Sequence, residues 1–215
     1  MRRPSPPRQE KRPSGNIGAV RRSRCCGTVS RMCRRPQIDA SPEATARIET
    51  ILGGFGRGAL RATAAGGTRI VHLNDGEGYA SRSRVLRRLG ARVDDWPLPP
   101  AGLFVVEERT IYLRSLSPMT VAHEFAHALD CALGGGVYLS GIDPRVREAF
   151  GAAQRFVTPY AACGLDEYFA ECARAWVGAN DPHSPWPRAT RARLRAVDPA
   201  MATILEGIFR QYLAA

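Results

Sequence analysis

Two of the four histidines in this 215-residue chain stand four residues apart, in Val121-Ala122-His123-Glu124-Phe125-Ala126-His127-Ala128-Leu129-Asp130. Positions i and i+4 share one face of a helix about a turn apart, so a helix here lets both imidazoles reach a single metal ion. The surrounding residues predict that helix. Ser117 is an N-cap with Pro118 at the first helical position, and Gly134-Gly135-Gly136 stops the run. Val121, Phe125, Ala128 and Ala132 fall at i, i+4, i+7 and i+11, an apolar stripe that turns the segment toward a core. A fold for this chain has to bury one side of that helix and leave its histidines facing a common point.

His123-Glu124-Phe125-Ala126-His127 is also the H-E-x-x-H pattern of zinc peptidases, in which the glutamate lies beside the metal-facing side and holds a water on the ion. Three fixed positions are few enough to match by chance, so the reading needs a third ligand. Catalytic zinc takes three protein ligands and keeps one position for water. A metzincin carries a histidine six residues after the second one; Leu133 stands there, which excludes that class. A glutamate on a later helix is the other common solution. Asp166-Glu167-Tyr168-Phe169-Ala170-Glu171 offers Glu167 and Glu171 at i and i+4 on one face, opposite a stripe of Phe169 and Trp176. One of the two can bind the ion while the other orients a histidine ligand. Asp143 is a weaker alternative, since it precedes a helix rather than sitting on one.

The net charge of +11 suggests a nucleic-acid binder until it is divided along the chain. Residues 1–40 hold eleven of the 31 basic and two of the 20 acidic residues, a net of +9, which leaves +2 for residues 41–215. That basic tail is rich in Pro, Arg, Ser and Gly without periodicity, and is expected to be disordered. It reads either as an electrostatic contact for nucleic acid or as a solvated leader; it has no aromatic residue to stack on bases. Residues 41–215 are expected to form one domain. No apolar run reaches the length of a membrane span, and the tail has no apolar core of a secretory signal. The six cysteines show no C-x-x-C spacing, so neither a disulfide framework nor a cysteine zinc site is implied, with Cys163 and Cys172 read as small apolar packing. A reducing cytoplasm is the default location, with export by a specialised route left open; the oligomeric state is not legible.

The remaining elements are those of an α+β protein, mostly helical. Ser41-Pro42 opens a helix to about Leu52, and the Gly-rich residues 53–67 read as a loop. Residues 69–73 read as a strand. Residues 80–89 read as a helix with Val85, Leu86 and Leu89 inward. Residues 103–106 and 110–113 form a hairpin just before the histidine helix. Further helices are expected over about 144–157, 165–179 and 199–212, with a loop at Thr158-Pro159-Tyr160.

His-Glu-Phe-Ala-His-Ala-Leu-Asp, followed by Tyr160 and then Asp-Glu-Tyr-Phe-Ala-Glu, resembles the catalytic domain of anthrax lethal factor and its bacterial relatives, in the gluzincin branch of zinc peptidases. The resemblance spans about Leu103 to Val177. It implies a zincin-type fold and a Zn2+ ion held by His123, His127 and Glu167. It implies Glu124 as general base and Tyr160 as the tyrosine that assists at the scissile carbonyl. Glu171 matches an acid behind the ligands, and Asp130 stands where the family also has an acid. From the residues alone, Glu171 also fits a solvated helix charge and Asp130 a partner for a nearby arginine. The implied activity is a zinc-dependent endopeptidase with peptide or protein substrates. The other class left open is a binding protein that contacts nucleic acid through its tail, with a structural or inactive metal site.

Overall fold

Residues 35–184 and 188–213 are described by the structure, a computed structural model. The basic segment up to residue 34, and with it the tail-mediated nucleic-acid contact and Cys25, Cys26 and Cys33, lies outside the described residues. In chain order the elements are β1 (Gln37–Asp39), α1 (Pro42–Leu52), α2 (Gly56–Ala65), β2 (Arg69–His72), α3 (Tyr79–Arg82), α4 (Arg84–Leu89), β3 (Gly102–Val105), β4 (Thr110–Leu113), α5 (Pro118–Leu133), α6 (Leu139–Ile142), α7 (Pro144–Ala152), α8 (Leu165–Val177), α9 (Arg191–Val197) and α10 (Pro199–Leu213).

The four strands form one sheet in the order β1-β2-β4-β3. β1, β2 and β4 run parallel, which requires crossovers, and α1–α2 and α3–α4 provide them. β3 pairs antiparallel to β4 in the register Gly102↔Leu113 to Val105↔Thr110, and its outer side is an edge of the sheet. Alternation along the strands separates two apolar groups. Ile70, Phe104, Ile111 and Leu113 join the main core with α5. Val71, Leu73, Val105 and Tyr112 meet Tyr79, Leu86 and Val93 in a smaller cluster.

α5 runs through the main core, touching β3, β4, α1, α2 and α8. Ser117 Oγ accepts from the Thr120 N–H at 3.2 Å, with Pro118 at the first position, as the sequence predicts. At the other end a Cβ on Gly134 would lie 2.1 Å from the Val137 carbonyl oxygen, so only glycine lets the chain fold back there. Phe125 is fully buried and meets Phe55 edge to face at 4.7 Å; Phe55 lies 6.3 Å from Phe209 of α10, which stacks on Trp176 of α8 at 6.0 Å.

Several local expectations differ. Gln37–Asp39, counted with the tail, pairs as a strand because Ile38 packs on the core beside Ile70. Residues 53–67 contain a 3₁₀ turn and α2, whose Ala59, Leu60 and Thr63 are buried; tertiary contacts outweigh the glycines. The helix expected over 80–89 breaks at Ser83, whose side chain caps α4, and Leu89 points to solvent at 67% exposure. The helix from Pro144 stops at Ala152. Among the described residues no helix is long and apolar enough to cross a membrane.

Removing the fully buried Phe125 ring leaves a cavity against Phe55 in the main core. Phe125→Ala is expected to cost about 3–5 kcal/mol in urea unfolding; a loss below about 1 kcal/mol would place this face of α5 outside the core.

Candidate metal centre

α5 and α8 pack directly against each other, and their facing polar residues meet at one point. His123 Nε2, His127 Nε2 and Glu167 Oε2 form a triangle with edges of 3.1, 3.0 and 3.4 Å. Tetrahedral zinc with bonds near 2.0–2.1 Å sets its ligand atoms about 3.3 Å apart, so the triangle has the size of one ligand face. The proton inventory points the same way. Glu167 Oε2 is buried and has no hydrogen-bond donor, although the His123 nitrogen is within 3.0 Å. His123 places its other nitrogen, Nδ1, 2.9 Å from Glu171 Oε1, where it donates, so that the neutral ring, once a cation displaces the second proton, offers its lone pair on Nε2. Three metal-ligating atoms thus crowd one point, and the Glu167 oxygen among them has no donor, a gap that a cation between them would fill. Desolvation works against charge on His123, but Glu167, Glu171 and Glu124 raise its pKa to about 10; surroundings that favour a proton also favour a bound cation. Glu167 is pushed up by burial and held down, to about 2, by the two imidazoles.

Behind His123, Glu171 is buried and fully paired. Oε1 receives His123 Nδ1 and Arg174 Nε at 2.9 Å each; Oε2 receives Thr158 Oγ1 at 2.6 Å and Arg174 Nη2 at 2.8 Å. Burial alone would raise its pKa, yet the donors from His123 and Arg174 hold it well below the usual carboxylate range.

Glu124 lies beside the triangle, buried against β3. A Cβ on Gly102 would come within 2.6 Å of Glu124 Cγ and 2.8 Å of Thr120 Cγ2, so the strand approaches the helix this closely only because residue 102 is glycine. Burial pushes the Glu124 carboxyl up, against the pull of His123 and His127. Tyr160 is 45% exposed; its hydroxyl donates to Glu167 Oε1 at 3.1 Å and its ring lies 5.5 Å from that of His123. Desolvation and the Glu167 carboxylate raise its pKa, so the phenol keeps its proton. Two clefts of about 320 and 340 Å³ share His123, Glu124 and Tyr160. Met119 and Thr120 line the first, Trp96, Leu103, Tyr138 and Asp166 the second, and Pro100 both.

The structure thus gathers His123, His127, Glu167, Glu124, Tyr160 and Glu171 at one point. Asp130 is not part of that contact set. Its two oxygens are taken by Ser140, from N at 2.8 Å and Oγ at 2.6 Å, while His127 Nδ1 has no hydrogen-bond partner. The i, i+3 spacing puts Asp130 near His127, but the chain after Gly134 folds back and claims the carboxylate first. Asp143 caps α7 through the Arg145 N–H and pairs with Arg145, away from the triangle. Cys172 is buried as expected; Cys163 is exposed. Sequence reasoning missed Gly102, Thr158 and Arg174. The Glu171/Arg174 spacing of i, i+3 was a readable signal; Gly102 fell just outside the expected strand and opens β3, and the Thr158 contact depends on how a loop folds.

No protein-family model and no curated protein sequence matches the chain. Among solved structures, it is similar to the PRO-PRO endopeptidase PPEP-2 from Paenibacillus alvei, with a TM-score of 0.57 and 20% sequence identity, covering 79% of this chain and 93% of that one. At that identity the likeness is one of fold: α+β, mostly helical and zincin-like. His123, His127 and Glu167 are the group able to hold a metal ion among the described residues.

Titration of metal-free protein with zinc, followed by calorimetry, is expected to give one ion per chain. Glu167→Ala should weaken that binding by at least about a hundredfold, since two ligands remain of three; unchanged affinity would remove Glu167 from the ligand set.

Proposed function

We propose that this chain is a zinc-dependent endopeptidase of the gluzincin type, akin to the catalytic domain of anthrax lethal factor. The observation that carries the reading is the convergence of His123, His127 and Glu167 beside Glu124 at the junction of two open clefts. The ligand set, the acid beside it and the tyrosine opposite are the parts such a reaction needs. The similarity of fold to an endopeptidase supports peptides as the substrate class.

His123, His127 and Glu167 would hold the ion. Bound there, zinc supplies Lewis acidity, which acidifies a water and polarises a peptide carbonyl. Glu124 takes the proton of the attacking water and delivers it to the leaving amine as the C–N bond breaks. Tyr160, protonated and half exposed to the cleft, donates its O–H to the oxygen on which charge develops. Glu171 holds His123 in the tautomer that leaves Nε2 free for the ion. β3 presents its outer edge next to Glu124, so an extended peptide adds to it by main-chain hydrogen bonds and reaches the centre in register.

Glu124→Gln is expected to retain zinc and lose turnover of a mixed peptide library by about 10²–10⁴-fold; full activity in that variant would sink the mechanism. Tyr160→Phe should lower kcat by about 10²–10³-fold with little change in KM. Strand addition is checked separately by N-methylation along a cleaved peptide. KM should rise at alternate residues, and uniform tolerance would leave the substrate held by side chains alone.

A further inference from the structure

Among the described residues Arg174 is the largest fully buried side chain, 1% exposed, and no part of the proposed reaction uses it. It lies on the same face of α8 as Glu167 and Glu171, at i+7 and i+3. Its guanidinium clamps Glu171 with both forks, Nε to Oε1 at 2.9 Å and Nη2 to Oε2 at 2.8 Å. The remaining nitrogen, Nη1, is tied to the Ala179 carbonyl at 2.9 Å and to Asn180 Oδ1 at 3.4 Å. Asn180 is itself fixed at both ends of its amide, accepting from Ala189 N–H at 2.9 Å and donating to the Ala189 carbonyl at 2.8 Å. An unbroken line of polar contacts therefore runs from the segment after α8, through Arg174 and Glu171, to the imidazole of His123.

We infer that Arg174 is a positioning residue for the metal centre: it locks the Glu171 carboxylate, and Glu171 in turn sets the orientation of His123 toward the ion. The inference rests on the metal site proposed above. The geometry carries it. A carboxylate can rotate about its terminal bond, and with His123 and Thr158 as its sole donors Glu171 would have one contact per oxygen. The planar two-pronged guanidinium takes the second contact on each oxygen and so fixes the carboxylate plane. Lysine offers one point charge in place of that fork and cannot fix a plane. A buried ion pair adds little to net stability against apolar residues of the same volume, so stability alone is a weak reason for a charged pair here.

The test reads zinc affinity by competition with a chelator in wild type, Arg174→Lys, Arg174→Met, Glu171→Gln and the double variant Glu171→Gln/Arg174→Met, each first checked for folding by circular dichroism. Arg174→Met and Arg174→Lys are expected to weaken zinc by about 10–100-fold, the range for groups that orient a ligand. Combined with Glu171→Gln, Arg174→Met should cost less than about threefold more, because its effect passes through that carboxylate. Wild-type affinity in a folded Arg174→Met overturns the inference, as does the same loss with and without Glu171, which would mark a purely structural role. Should Arg174→Met not fold, Arg174→Lys decides the matter, since wild-type affinity in it has the same meaning. Zinc binding is read without substrate, so a protein that binds zinc through this relay but cleaves no peptide refutes the peptidase reading and leaves the positioning role standing. A wild type that binds no zinc overturns both.

Discussion

Helix α5 carries two histidines, a glutamate and an aspartate through the middle of an apolar core, and the rest of the site is arranged around pairing them. A buried polar group without a partner is expensive, so most of them are met by another element. α8 does most of this with one face: Glu167 toward both imidazoles, Glu171 behind His123, Arg174 behind Glu171. The Thr158 loop closes the last site on Glu171, and the α6 segment takes Asp130 through Ser140. The contact between α5 and α8 is therefore both the centre of the core and the frame of the candidate metal site.

Apolar and polar interactions divide the work. The Phe125–Phe55–Phe209–Trp176 chain, with the aliphatic residues around it, brings α5, α8 and α10 together without regard to fine orientation. Burying a side chain such as Phe125 is worth about 1.5–3 kcal/mol, whereas a buried ion pair such as Glu171–Arg174 roughly breaks even. The polar network does not hold the fold together; it fixes angles within a fold held by other means. Two close approaches set the remaining geometry, and both depend on glycine. Gly102 lets β3 lie against Glu124, and Gly134 lets the chain turn back over the end of α5. A strand edge, an acid and a ligand face are thereby brought within one cleft.

Periodicity was the legible part. α5 was marked by Ser117-Pro118, its apolar stripe and its terminal glycines, and α8 by the stripe of Phe169 and Trp176; both stand where those signals put them. The i, i+4 histidines and the i, i+4 glutamates followed from the same helical repeat. Local signals failed where tertiary contact reversed them. The Gly-rich residues 53–67 became α2 because Ala59, Leu60 and Thr63 found a buried surface, and Leu89 stayed outside because Ser83 restarted the helix.

Helical spacing, a property of neighbours along the chain, was enough to say which residues share a face and to name the ligand types. It could not say which face meets which. That Glu167 rather than Glu171 lies at the histidine triangle, that Asp130 goes to Ser140, and that Arg174 closes the circuit behind Glu171 are decided by how α5 and α8 pack with each other, with α6 and with the segments that flank α8. Distances between residues far apart in sequence are set by the shape of the core, and no short-range pattern encodes them.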